Sequence, residues 1–325
     1  MYRMFFSHMH IEDSDFMFQP QNLVVDSLKG KNIAVVQRLS SQENLRAIQV
    51  FKKMGLKVVY DLDDDVWSVP RYNPAFGKMK VWLPGFEVCS SMADLITVST
   101  QHLKLMVEKA LGKKCPPVEV IENALDYDWF KPVSEKYHKK RNGRIVIGWA
   151  GTDTHQEDIE KVIGMLPQIL EEHPEVDFEI IGHTVPESMK VFFGDRVRER
   201  YFVPVAEFAA NWAGWQWDIS LAPVAENAFN LSKSNIKMLE AAALSIPCVA
   251  SRFGEYQKFS SYSPLLKKTI SATSVTDWKR KIEGLVVNPT LRTEVGMEMH
   301  SVACRYYNIR DRAKQWYALF EELLK

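Results

Sequence analysis

The sequence predicts an α/β protein whose parallel sheets are covered by helices and divided between two domains. Short β-branched runs alternate with helical segments over most of the 325 residues, and this alternation is typical of parallel sheets. The chain is longer than the size at which one hydrophobic core usually stops growing, so we expect two domains of about 130 to 170 residues each. Lys plus Arg number 41 and Asp plus Glu also number 41, which favours a small-molecule enzyme over a polybasic nucleic-acid binder or membrane anchor.

Residues 1–135 are predicted to form a reduced Rossmann-like domain on the acceptor side. Strands are predicted at Asn32–Gln37, Lys57–Asp61, Leu95–Ser99 and Glu119–Ile121, with helices at Ser41–Met54, Phe86–Ala93 and Gln101–Lys109. The basic, polar segment Pro132–Arg144 is flanked by Pro and Gly. We interpret it as a linker between the domains.

Residues 136–308 are predicted to form the more regular Rossmann-like domain. Its predicted elements are strand 144–149, helix Gln156–Glu172, strand Asp177–Ile181, helix Glu187–Phe193, strand Tyr201–Val203, helix Val205–Ala213, strand Asp218–Ala222, helix Ser234–Leu244 and strand Pro247–Ser251. The tail, Ile309–Lys325, carries apolar residues at helical spacing and is predicted as an amphipathic helix. Periodicity leaves two places for its buried face: across both domains, or on the second sheet.

The cysteines and the N-terminal sequence indicate a soluble protein of a reduced cytoplasmic compartment. The cysteines lack paired spacing, so neither a zinc site nor a disulfide framework is predicted. They are Cys89, Cys115, Cys248 and Cys304. The first residues lack the pattern of a signal peptide, and no apolar run reaches the roughly 20 residues of a membrane span.

The segment 229–251 predicts an anion-binding helix entrance followed by a buried strand. Lys233, Lys237 and Glu240 are expected on one helix face, with Ser232 and Ser234 at the start. Two lysines in the first turns of a helix are unfavourable, because they repel each other and oppose the macrodipole. A bound diphosphate, held by the free backbone N–H groups, explains them. The alternative is an amphipathic surface helix with a Lys237–Glu240 pair.

Polar residues and glycines follow the first strand of the second domain, at the sheet edge where ligands of open α/β sheets bind. The glycines allow close approach of the backbone to a ligand, and the threonines and histidine offer donors for phosphate oxygens. These residues are Gly148, Gly151, Thr152, Thr154 and His155. Asn230 is expected at the same edge. Ordinary strand-to-helix turn chemistry remains the alternative for this loop.

Four aspartates crowd the end of one first-domain strand. Asp61, Asp63, Asp64 and Asp65 lie so close in sequence that their carboxylates repel each other and raise one another's pKa. Three roles remain open: a divalent metal site, a base or orienting group for an acceptor hydroxyl, and helix or turn capping. At least one of the four is expected to cap, because Asp is a preferred turn residue.

Six segments in order resemble glycosyltransferases of the GT-B type, and more narrowly the retaining glycosyl transferases group 1 family. They are DLDDDVW, ADLITVST, VIENALDYDWF, IGWAGTDTH, DISLAPV and FNLSKSNIKMLEAAALSIPCVAS, which together run from about residue 55 to residue 255. The resemblance implies two Rossmann-like domains that face a cleft, with the nucleotide-sugar held mainly by the second domain.

The resemblance also implies site residues. Glu240 matches the glutamate that holds the ribose hydroxyls, and Ser234, Asn235 and Ile236 match backbone positions at the diphosphate. Either Asp63 or Asp64 occupies the place of a His or Asp close to the transferred sugar.

Departures from the family pattern concern the charged groups. Ser232 stands where the family has an earlier glutamate, and no arginine follows the first strand of the second domain, where Trp149 and His155 lie instead. Lys233 and Lys237 are expected to supply the missing positive charge. Asn123 and Asp126 match the family's turn between the domains, with alanine in place of glycine.

The sequence therefore predicts a metal-independent enzyme without cofactor. It is expected to move a sugar from a UDP- or GDP-linked donor to a hydroxyl acceptor, with retention of anomeric configuration. Asp63, Asp64 and His155 are the candidate catalytic residues. The acceptor is left open among a glycan, a lipid-linked sugar, a small molecule and a modified nucleic acid. Two alternatives are a nucleotide-sugar epimerase of the same fold and a non-catalytic module that binds a sugar or a nucleic acid.

Overall fold

The computed structural model describes Ile11 and residues 28–130, 143–201 and 211–325. These residues belong to two compact units. The first unit comprises Met1–Ala124, Asn227–Ser234 and Ile309–Lys325, and the second comprises Leu125–Glu226 and Asn235–Asn308. Each unit contains one sheet in which every pair of neighbouring strands is parallel. The predicted α/β class with two parallel sheets is confirmed.

The first sheet has four strands in the order β1-β2-β3-β4, and the second has six in the order β10-β9-β8-β5-β6-β7. The strands are β1 Ile33–Gln37, β2 Lys57–Leu62, β3 Leu95–Val98, β4 Val118–Val120, β5 Ile145–Ala150, β6 Val176–Ile181, β7 Val197–Arg200, β8 Ile219–Ala222, β9 Cys248–Ser251 and β10 Ser271–Ala272. In the second sheet the chain proceeds from β5 to β7 on one side and then returns to β8 on the other. The order therefore reverses between β5 and β8, and such a switch point opens a crevice at the carboxyl ends of the strands.

Thirteen helices are delimited within the described residues. They are α1 Gln42–Lys53, α2 Phe76–Ser91, α3 Gln101–Leu111, α4 Gln156–Ile163, α5 Leu166–Glu172, α6 Glu187–Phe193, α7 Ala228–Leu231, α8 Ile236–Ala243, α9 Gly254–Ser261, α10 Pro264–Thr269, α11 Val275–Val287, α12 Pro289–Tyr306 and α13 Ile309–Leu324. Of the helices that these residues form, none combines the length and the apolar character needed to cross a bilayer. All four cysteines are free thiols.

Helix α13 packs on the sheet of the first unit. Its Trp316 is 2% exposed and belongs to a buried cluster with Val59, Leu95 and Ile121. These partners lie on or directly beside β2, β3 and β4. The sequence pattern did not decide whether the buried face of this helix packs across both domains or on the second sheet. The structure instead gives it a place on the first sheet.

Several predicted elements differ from the observed ones. Helix α2 begins ten residues earlier than predicted, at Phe76 rather than Phe86, because Pro84 and an irregular apolar pattern conceal its first turns. The predicted helix Gln156–Glu172 is two helices, broken at Gly164. Of the predicted strand Tyr201–Val203, Tyr201 is described, and it lies directly after β7 and outside that strand.

Parts of three predictions lie outside the described residues. They concern most of the linker Pro132–Arg144, with the domain boundary at residue 135, the end of the strand at residues 202–203, and most of the helix Val205–Ala213. Residues 254–306, for which the sequence yielded no elements, form four helices and the edge strand β10.

Candidate functional site

The loop after β5 is shaped by one buried tryptophan. Trp149 is 0% exposed, and an added Cβ at Gly151 would lie 2.5 Å from its Cη2 and 2.6 Å from its Cζ2. The Gly151 N–H donates to the Ile181 carbonyl at the end of β6, over 3.0 Å. Glycine is therefore required here by the indole ring, and the loop is fixed against the neighbouring strand at the switch point.

His155 follows in the same loop and is oriented by a carboxylate. Its Nδ1 lies 2.7 Å from Oδ2 of Asp158, which is 3% exposed. The other oxygen of Asp158 accepts from the Ala225 N–H over 2.7 Å. An imidazole held in this way keeps its proton on Nδ1 and directs Nε2 away from the carboxylate. The hydroxyls of Thr152 and Thr154 lie 2.8 Å apart, and one donates to the other.

The start of α8 holds two further predicted residues and lacks an ordinary cap. Asn235 occupies the N-cap position, but its side chain makes no cap hydrogen bond. It is 2% exposed, and no described residue accepts a hydrogen bond from its Nδ2. Two residues further on, the buried ammonium of Lys237 lies 4.8 Å from the centroid of the Trp149 ring. Glu240, on the same helix, is 5% exposed.

The segment before α8 differs from the prediction. Helix α8 begins at Ile236 rather than Ser234, so Lys233 does not share a helix face with Lys237. The Asn227 side chain caps the short helix α7, which ends at Leu231. Residues 232–234 then connect two helices, and this interruption is why one continuous helical pattern fails here.

Residues of this connecting segment are bound within the first unit. The Thr100 hydroxyl donates to the Ser232 carbonyl over 3.0 Å, and Asn123 Nδ2 donates to Ser234 Oγ over 2.7 Å. The Lys233 ammonium lies 4.7 Å from the Phe229 ring centroid. Ser232 is 0% exposed, and its hydroxyl has no hydrogen-bond partner among the described residues.

Two of the four crowded aspartates have structural roles. Asp61 is fully buried and accepts from Gln37 Nε2 and from the Thr97 hydroxyl, each over 2.8 Å. Asp65 accepts from the backbone N–H groups of Trp67 and Ser68 at 3.0 and 3.1 Å. The expectation that at least one of the four caps a turn is therefore confirmed by Asp65.

Asp63 and Asp64 share an arginine that sequence reasoning missed. Arg38 Nη1 lies 2.9 Å from Asp64 Oδ2 and 3.5 Å from Asp63 Oδ1. Burial lowers the pKa of Arg38, but the two carboxylates outweigh it and the net shift is upward. Burial and the Asp64 charge raise the pKa of Asp63, which Arg38 partly opposes. Arg38 has a φ of 51°, in the left-handed region that costs a non-glycine residue about 1–3 kcal/mol.

The predicted site residues thus fall into two groups. In the second unit the residues are Gly151, Thr152, His155, Asn235, Ile236, Lys237 and Glu240. In the first unit they are Asp63, Asp64, Asn230, Ser232, Lys233 and Ser234. Sequence reasoning missed Arg38 and Asp158. Asp158 could have been found from the sequence, since a carboxylate three residues after a histidine at a helix start lies on the same helix face. For Arg38 the sequence offered only its position directly after a strand of the sheet that also carries the aspartates.

Comparison with known proteins identifies the fold. No family model matches the chain, and no curated protein matches it in sequence. Solved structures are similar to this chain, and three of them match at least 92% of its length. Sucrose-phosphate synthase from Thermosynechococcus elongatus has 14% identity and a TM-score of 0.64, with 77% of that chain covered. HepE from Anabaena, in complex with UDP, has 13% identity and a TM-score of 0.65, with 80% of that chain covered. A glycosyltransferase from Rickettsia africae has 13% identity and a TM-score of 0.63, with 85% of that chain and 97% of this chain covered. The chain therefore has the GT-B fold, with two Rossmann-like halves.

Proposed function

We propose that this chain is a glycosyltransferase that moves a sugar from a nucleoside diphosphate sugar, UDP- or GDP-linked, to a hydroxyl acceptor. One observation carries the proposal: two buried hydrogen-bond donors around Lys237 have no acceptor among the described residues. They are Trp149 Nε1 and Asn235 Nδ2. An unsatisfied buried donor costs about 1–3 kcal/mol, so a ligand acceptor is the natural partner.

The charge and backbone of α8 favour an anionic ligand at this place. The first backbone N–H groups of a helix have no intrahelical partner, and the macrodipole adds positive potential there. Lys237 adds a full charge within the first turn. A diphosphate accepts hydrogen bonds through several oxygens and carries the opposite charge, so it satisfies all of these groups together.

The remaining residues match the rest of a nucleotide-sugar. Glu240 lies three residues beyond Lys237 on the same helix, and by resemblance its carboxylate accepts hydrogen bonds from the ribose hydroxyls. HepE, a similar structure, was solved with UDP and with UDP and glucose, which supports this ligand class for the present chain.

The proposed reaction uses these groups without a metal or cofactor. The bond between the anomeric carbon and the diphosphate oxygen breaks, a bond from that carbon to the acceptor oxygen forms on the same face, and the diphosphate takes the acceptor proton. Lys237 and the amino end of α8 stabilise the charge that grows on the leaving group. Asp63 or Asp64 orients the acceptor hydroxyl. The oriented imidazole of His155 presents its unprotonated Nε2, which accepts a hydrogen bond from a hydroxyl of the donor sugar.

A donor screen tests the proposal. The protein is incubated with UDP- and GDP-linked sugars in the presence of glycan, lipid-linked and small-molecule acceptors, and released nucleotide is measured. Transfer is expected for one donor, and slow hydrolysis without acceptor. NMR of the acceptor-free reaction separates an epimerase, which would instead accumulate an epimeric nucleotide-sugar.

Matched lysine variants make the result specific. Lys237→Met is expected to lower the rate at least tenfold, whereas Lys267→Met, which changes an exposed lysine on α10, is expected to leave it unchanged. Absence of both nucleotide release and nucleotide binding across the full set of donors contradicts the proposal.

A further inference from the structure

We propose that Trp149 is a ligand-binding and positioning residue of this site: its indole N–H donates a hydrogen bond to an oxygen of the bound diphosphate, and its ring fixes the Lys237 ammonium toward the same group. The inference rests on the proposed function and deepens it. It assigns a specific role to a residue that looks, from its burial alone, like part of the hydrophobic core.

The indole N–H of Trp149 is the first line of support. A buried tryptophan normally finds a hydrogen-bond acceptor for its N–H. Two other tryptophans of this chain have such an acceptor. Trp217 Nε1 donates to Glu179 Oε2 over 2.7 Å, and Trp67 Nε1 donates to Glu87 Oε1 over 3.0 Å. Trp149 is 0% exposed, yet no described residue accepts from its Nε1. Since none of the described residues fills this position, we assign it to an acceptor on a bound ligand.

The second line of support is the way in which the ring is held. The Lys237 ammonium lies over it, 4.8 Å from the centroid, where a cation is attracted to the ring's negative face. The His183 ring meets it nearly perpendicularly, with the centroids 5.8 Å apart. Gly151 leaves no room for a Cβ beside it. Contacts from three segments thus fix the ring, and the ring in turn restricts where a flexible lysine places its charge.

The chemistry of this pair indicates a phosphate oxygen as the acceptor. An indole N–H only donates, and an ammonium only donates. A nucleobase edge or a sugar hydroxyl would bring donors of its own to the same place. An oxygen that only accepts and carries negative charge suits both groups, because it accepts from the indole N–H and is attracted by the ammonium charge. Trp149 is the penultimate residue of β5, which lies at the switch point of the second sheet, where a ligand of this fold class is expected.

Calorimetric titration of UDP and of inorganic pyrophosphate tests the inference. Trp149→Phe keeps an aromatic face for Lys237 but removes the N–H, so both ligands are expected to bind about ten- to a hundredfold more weakly. Trp149→Leu removes both features and is expected to bind more weakly still. In a Lys237→Met background, Trp149→Leu is expected to cost less than it does in the wild type, because the two residues act together.

Trp278 provides the matched control. It is another buried tryptophan of the second unit, 4% exposed, on α11. Trp278→Phe and Trp278→Leu introduce comparable defects in packing and are expected to leave both affinities unchanged at temperatures where the variants are folded.

An experiment on the unaltered chain covers the case in which a Trp149 variant does not fold. The nine tryptophans are labelled with ¹⁵N at the indole, and UDP is added. One indole N–H resonance is expected to move downfield by more than the other eight. Equal affinity of Trp149→Phe and wild type, or an indole spectrum that UDP leaves unchanged, overturns the inference while the proposed function stands. Failure of wild type to bind any nucleoside diphosphate overturns both.

Discussion

Substitution of Gly151 by alanine tests the packing that shapes the candidate site. The new Cβ would lie 2.5 Å from Trp149 Cη2, 2.6 Å from its Cζ2 and 3.3 Å from the His155 Cβ. Since Trp149 is fully buried, its ring cannot move into solvent. Overpacking of this kind costs about 1–3 kcal/mol. A domain of this size loses about 2–4 °C of melting temperature per kcal/mol, so a fall of roughly 2 to 12 °C is expected.

The displacement also has a predicted effect on ligand binding. Because Trp149 and Lys237 move together, UDP at saturating concentration is expected to raise the melting temperature of Gly151→Ala much less than that of the wild type. The assay is a thermal scan with and without UDP. A melting temperature and a UDP-induced shift both equal to those of the wild type would refute this reasoning.

Gly148→Ala provides the control for destabilisation alone. Its Cβ would lie 1.9 Å from Cδ2 and 2.0 Å from Cε2 of Trp217, so a loss of stability at least as large is expected. Adjacent residues of a strand point to opposite faces of the sheet, and Trp149 therefore stays undisturbed. UDP affinity below the melting temperature should match that of the wild type.

The remaining predictions concern three other parts of the molecule. Burial, together with the charge of Asp64, raises the pKa of Asp63, so the folded chain binds this proton more tightly than the unfolded chain. Asp63→Asn should therefore raise the melting temperature at pH 7. The gain should shrink as the pH falls below that raised pKa and vanish below the pKa of the unfolded chain. A melting temperature below that of the wild type at pH 7 counts against this. Asp158→Asn keeps the shape of this side chain but reverses the tautomer of His155, so sugar transfer should slow at least tenfold. In rate measurements, the double variant Asp158→Asn/His155→Ala should be no slower than the slower of the two single variants. Trp316→Ala removes the side chain that α13 packs on the first sheet and should cost about 3–5 kcal/mol in chemical unfolding; a loss below 1 kcal/mol would be inconsistent with this packing.

Much of the fold followed from local sequence patterns. The β-branched runs located eight of the ten strands of the described residues within a few residues, since buried parallel strands read as apolar stretches. The first helix was predicted almost to the residue, because Ser41 caps it and its side chain accepts from the Asn44 N–H. Strand β7 was misplaced because its Arg198 and Arg200 pair with the buried Glu179 of β6. That pairing hides the usual apolar signal and depends on a partner remote in sequence.

The candidate site was predictable only in part, for a similar reason. Local spacing singled out His155, Lys237 and Glu240 as candidates, because His155 follows the end of a strand and the other two lie in the first two turns of a helix. Arg38 was missed because its role depends on contacts with carboxylates 25 and 26 residues away. The start of α8 was placed two residues early, because the contacts that hold Ser232 and Ser234 outside the helix come from residues more than 100 positions distant.

A crystal structure of the protein with UDP tests the central claim most directly. The account predicts a diphosphate at the amino end of α8, with one oxygen within about 3.2 Å of Trp149 Nε1 and another near the Lys237 ammonium. A complex in which UDP lies elsewhere, or in which the first turn of α8 is capped by an acidic side chain of the protein itself, would contradict it.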